Sequence, residues 1–100
     1  CEAGGIEAVV SGMGSHLGVS GVQEQGCGAL MNITAGNKEN QNLMCEAGGI
    51  EAVVAGMGAH PGEPRVQKQG CQALSHAASG NEVNRVRICE AGGIEAIVAG

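Results

Sequence analysis

The sequence predicts an all-α chain, an α-solenoid of stacked three-helix units. Three observations lead there. The decapeptide CEAGGIEAVV stands at residue 1, recurs unchanged at residue 45 and returns as CEAGGIEAIV at residue 89. Laid over residues 45–88 without a gap, residues 1–44 agree at roughly 25 of 44 positions, and the register never slips. A period of about 40–47 residues belongs to helical solenoid units, whereas the shorter helical repeats run at about 33–34. Propeller blades share this length but need β-branched and aromatic strands, and here Ala, Gly, Gln and Glu dominate. Within each period, apolar residues recur three and four apart, the spacing of a helix with one buried stripe.

The elements follow in chain order. GIEAVVSGMGSH at residues 5–16 places Ile6, Val9, Val10 and Met13 on one face of a helix. VQEQGCGALMNITAG from Val22 is a longer helix closed by Gly36. At 100° per residue, its Val22, Gly26, Ala29, Leu30 and Ile33 form the buried side, while Glu24, Gly28, Met31, Asn32 and Ala35 point away. NKENQNLMCEA, Asn37 to Ala47, is a short helix with Asn37 as its N-cap and Leu43, Met44 and Ala47 on one face. Gly48 stands where a helix commonly ends in the left-handed conformation.

GIEAVVAGMGAH at residues 49–60 repeats the first helix through Ile50, Val53, Val54 and Met57, and Pro61 prevents it from continuing. VQKQGCQALSHAASG from Val66 repeats the second, with Pro64 near its start and Gly80 at its close. Asn81 to Ala91 repeats the short helix, with Val83, Val86 and Ile88 as its apolar positions. Such thin units bury their stripes only against stacked neighbours. The expected units are 1–36 (partial), 37–80 (complete) and 81–100 (partial), a piece of a longer array forming one domain.

Composition bounds the function. Ten Glu, no Asp and five Lys or Arg give a net charge of −5, which offers no footprint for a phosphate backbone, so nucleic acid is not an expected partner. The absence of Phe, Tyr and Trp removes base-stacking platforms and aromatic grooves for proline-rich peptides. No stretch is apolar enough to span a bilayer. Five cysteines, an odd count with no CxxC, indicate neither a disulfide framework nor a zinc site, so an intracellular, cytoplasmic home is expected.

The segments NKENQNLMCEAGGIEAVV and VQEQGCGALMNITAGN resemble armadillo repeats: a short helix ending in Ala-Gly before an apolar helix, then the third helix of a unit. The resemblance covers the whole chain, and its wording is especially similar to the regular armadillo arrays of algal and protist proteins and of leucine-rich repeat kinases. It implies a right-handed α-solenoid of armadillo-type three-helix repeats. HEAT-like repeats, which lack the separate short first helix, are the alternative. In that family the third helices line a concave groove that holds extended peptides, and importin-α-like members clamp them with a Trp and an Asn one turn apart. The Asn position falls on Asn32 and His76, and the Trp position on Gly28 and Gln72. The groove candidates are therefore Glu24, Gly28, Met31, Asn32 and Ala35 in one unit, and Lys68, Gln72, Ser75, His76 and Ser79 in the next.

Nothing assembles into catalytic machinery. Cys1, Cys45 and Cys89 share one repeat position and Cys27 and Cys71 another, which reads as small apolar packing copied with the repeat. His16 and His60 fall at helix ends, where an imidazole can bond the last carbonyls. The Gly-Gly pairs lack the GKS/T sequel of a phosphate loop and read as bends, and without Asp no Ser-His-Asp triad can form. Gly26 and Gly70 on the buried stripe suit close helix approach. The expected function is a noncatalytic protein-interaction scaffold with no cofactor or metal, its partner a protein or extended peptide. The alternative is a homo-oligomer formed through open repeat ends, with Ile6 and Val9 meeting Ile94 and Val98.

Overall fold

The computed structural model describes residues 2–92, with side chains from residue 4 onward. These residues form six α-helices: α1 (Glu2–Ser15), α2 (Ser20–Thr34), α3 (Lys38–Glu46), α4 (Gly49–Ala59), α5 (Pro64–Ala78) and α6 (Glu82–Glu90). No strand occurs among the described residues.

Local chemistry sets the helix ends. Asn37 Oδ1 accepts from the Asn40 amide at 2.9 Å, and Asn81 Oδ1 from the Asn84 amide at 3.1 Å, each satisfying an orphan donor of the first turn. Gly48 and Gly92 take φ of 81° and 83° after α3 and α6, a conformation that costs a residue with a β-carbon roughly 1–2 kcal/mol. Pro64 is the first residue of α5, where its missing N–H would have had no intrahelical partner.

The decapeptide does not keep one shape. Its middle copy ends α3, turns at Gly48 and starts α4, whereas in the first copy α1 runs unbroken from Glu2 through Gly4 and Gly5. The bend expected before residue 5 is absent there.

Each helix rests against its counterpart one period later: α1 against α4, α2 against α5, and α3 against α6, with α2–α5 the most extensive pairing. One apolar core runs through all six, including Ile6 and Met13 of α1, Leu30 of α2, Met44 of α3, Ile50 and Met57 of α4, Leu74 of α5 and Ile88 of α6. Methionines fill the space that aromatics would otherwise occupy. A β-carbon on Gly26 would stand 2.5 Å from Met13 Cγ, and one on Gly70 2.5 Å from Met57 Cγ. These two glycines admit the thioether chains at van der Waals contact, and the expected close approach is present.

Several expected buried positions shift. On α2 the buried residues are Gln23, Gly26, Cys27, Leu30 and Thr34, with Val22, Ala29 and Ile33 only half-buried. The stripe turns toward Gln23 because the end of α1 offers that side chain two carbonyls. Gln23 Nε2 donates to Met13 O at 2.9 Å and His16 O at 3.0 Å, and Gln67 Nε2 repeats this at 2.9 Å to both Met57 O and His60 O. On α6, Val83 and Val86 are 70% and 52% exposed, and the inward face belongs to Asn84 and Ile88. Asn84 Nδ2 donates to Gln41 O and Ala77 O, both at 2.9 Å, so a polar residue is the one that docks the short helix.

Candidate functional site

The third-helix rows occupy α2 and α5. Along α2, Glu24, Gly28 and Asn32 lie four residues apart and line one recess of about 390 Å³ with Gln25 and Ala29 of α2 and Gln69 of α5. Gly28 and Glu24 are half-buried and Asn32 is exposed. Gln69 Oε1 is a buried acceptor with no hydrogen-bond partner. It lies over Gly28, where an added β-carbon would be 3.6 Å away. The glycine leaves room for the glutamine of the next unit, and three acceptor-bearing side chains, Glu24, Asn32 and Gln69, border one opening.

The other candidates divide. Met31 is half-buried and packed against the core. Ala35 and Ser79 are the exposed C-cap residues of α2 and α5, and the Ser79 carbonyl accepts from Gln41 Nε2 at 3.2 Å. Lys68 and Gln72 are exposed on α5. His76 is half-buried, its Nδ1 buried without a partner and its carbonyl accepting from Gln41 Nε2 at 2.8 Å. Ser75 opens instead onto a separate apolar recess between α5 and α6, with Leu74, Ala78 and Ile88. The structure thus gathers Glu24, Gly28 and Asn32 at one recess and sends Met31 to the core and Ser75 to another face.

Sequence reasoning missed Gln25, Ala29 and Gln69. A helical wheel drawn for one helix cannot reveal Gln69, because its place depends on which residue of α2 lies opposite. The only available signal was a glycine at 28 in a row of long side chains.

The histidine reading also changes. His60 Nε2 donates to Leu17 O at 2.8 Å, across 43 residues, and so links two units. The last carbonyls of α1 and α4 are taken by Gln23 and Gln67 instead. Arg87 of α6 hydrogen-bonds and ion-pairs with Glu51 on the surface of α4, a second link across the joint. Burial pushes the Cys27 thiol up to about 12, so this cysteine is an inert packing residue, while Cys45 and Cys71 are half-buried and Cys89 is exposed. Among the described residues no three His, Cys or Glu come together to hold a metal ion, and no helix is long and apolar enough to cross a membrane. Comparison with protein-family models, curated proteins and solved structures yields no match to this chain.

Proposed function

We propose that the chain is a noncatalytic protein-interaction module, a piece of a right-handed armadillo-type solenoid that holds an extended peptide along its third helices. The stacking of each helix on its counterpart 44 residues later supports the repeat reading, as does the separate short α3 that a HEAT-like unit lacks. The observation that carries the binding reading is Gln69 Oε1, a desolvated acceptor without a donor at the edge of an open recess. Leaving such a group unpaired costs about 1–3 kcal/mol, which a ligand donor would recover. Glu24 and Asn32 add acceptors beside it. The recess therefore suits the N–H groups of an extended backbone, with a basic side chain reaching Glu24.

The test is fluorescence anisotropy with a labelled decapeptide of alternating Lys and Ala, compared with its Glu–Ala counterpart. The Lys–Ala peptide binds and the Glu–Ala peptide does not. Gln69→Leu and Asn32→Ala each weaken binding by about tenfold, the value of one net hydrogen bond at the upper end of its range. Binding of both peptides alike, or binding unaffected by the two substitutions, refutes the reading.

A further inference from the structure

The two short helices turn the same positions to solvent but fill them with different residues. On α3 these are Lys38, Glu39, Asn42 and Glu46, all exposed although α4 follows and α6 packs alongside. On α6 they are Glu82, Val83, Val86 and Glu90, exposed as well. Since the face stays open on α3 with its neighbours in place, its exposure on α6 comes with the position in the unit, not with the edge of the stack. The chemistry is what changes. Glu82 stands in place of Lys38, Val83 of Glu39 and Val86 of Asn42, while the acid at the end of the helix is kept as Glu90. Val83 and Val86 are 70% and 52% exposed, so packing within the chain does not require them. Nor does helix propensity, because valine is a poorer helix former than glutamate and no better than asparagine. The two valines, Glu82 and Glu90 border a recess of about 440 Å³ that Arg87 and, from α3, Cys45 complete. Arg87 is paired with Glu51 of α4, which leaves the two glutamates to set the sign of the surface.

We propose that this recess between α3 and α6 docks a basic amphipathic helix of a partner protein, with apolar side chains on Val83 and Val86 and a Lys or Arg against each of Glu82 and Glu90. A helix laid in a groove contributes side chains three and four residues apart, the spacing that Val83 and Val86 present. Glu82 and Glu90 stand eight residues apart, about 12 Å along the axis, so the partner's cations lie about two turns apart with the apolar residues between them. Charge complementarity selects this class of partner. An acidic helix is repelled by both glutamates, and a wholly apolar one would cover them without a partner, at the cost of desolvating two charges. A second copy of the chain does not supply such a helix. No described helix carries exposed apolar residues between cations two turns apart. Ile6, expected at an end-to-end contact, is fully buried, and Ile94 and Val98 lie outside the described residues. The face shares no residue with the recess at Gly28, so either surface can fail to bind without the other.

The test exchanges α6 residues for those that α3 already carries. The probe is a labelled alanine-based helical peptide with two leucines three residues apart, between two lysines set two turns apart, followed by fluorescence anisotropy. The wild-type chain binds it, and the affinity falls as salt is added because exposed charges are screened. The same peptide with glutamates for the lysines does not bind. Val83→Glu combined with Val86→Asn restores the α3 residues and leaves the far-UV circular dichroism unchanged, since both side chains are exposed. That pair weakens binding by about tenfold or more. Glu82→Lys, the exchange for the residue at Lys38, weakens it by about fivefold. Gln69→Leu, at the other recess, leaves it unchanged. Absence of binding to the wild-type chain, equal binding of the glutamate peptide, binding unmoved by the two valine substitutions, or loss of binding in Gln69→Leu overturns the proposal.

Discussion

Replacing Gln67 by leucine tests whether the buried glutamine holds α4 and α5 together. Its Nε2 donates at 2.9 Å to both Met57 O and His60 O, at the end of α4. Neither carbonyl is orphaned by the change, because Met57 O keeps the His60 amide at 3.3 Å and His60 O keeps the Glu63 amide at 3.1 Å. The loss is therefore two ordinary net hydrogen bonds at about 0.5–1.5 kcal/mol each, without the larger penalty of a buried acceptor left bare. The sum, about 2 kcal/mol, is a large share of the stability of a small domain. With a urea m-value of about 1–2 kcal/mol per molar, the midpoint falls by about 1–2 M, read by far-UV circular dichroism because the chain has no aromatic fluorophore. Gln67→Glu is worse at neutral pH, since a carboxylate then faces the two carbonyls. The folded state raises that carboxyl's pKa, so stability returns as pH falls through the carboxyl range and the acid regains a donor. An unchanged midpoint for Gln67→Leu would refute the reasoning, because it would leave the two hydrogen bonds without energetic weight.

The glycines give opposite signs. Gly58→Ala stabilises by about 0.5–1 kcal/mol in urea unfolding, as nothing lies within 4 Å of its β-carbon, whereas Gly70→Ala destabilises by about 1 kcal/mol net because Met57 Cγ stands 2.5 Å away. Asn81→Ala removes the N-cap of α6 and the 2.8 Å bond to Asn42 Oδ1, and lowers stability by about 1–2 kcal/mol in the same assay. Burial raises the Cys27 pKa from 9.0 to about 12, so its contribution to stability is intact below about pH 9 and declines as pH rises from there toward 12. Cys27→Ala flattens that alkaline decline, and in the wild-type chain a thiol reagent labels exposed Cys89 in the folded state but Cys27 only on unfolding.

What could be read from the residues in order was whatever depends on near neighbours along the chain. The 44-residue period, the asparagine caps at 37 and 81, the stop at Gly48 and the helix begun by Pro64 all rest on capping and φ preferences acting within a few residues. Hydrophobic spacing located α1 and α4 but misplaced the inward face of α2 by the width of Gln23, and that of α6 by choosing valines over Asn84. In both helices a polar residue wins the buried position because its side-chain amide donates to carbonyls of another helix or the turn after it, and apolar periodicity has no view of such partners.

The candidate site follows the same division. Glu24, Gly28 and Asn32 share a face by helical spacing alone, which is why they could be named together. Gln69 joined them only when α5 packed along α2 and set its oxygen over the missing side chain of Gly28. The decapeptide shows the limit most directly: identical residues bend at Gly48 behind α3 but continue as helix in α1. Local sequence settles which conformations are cheap, and contacts one period away select among them, because their energy depends on partners that adjacent residues do not specify.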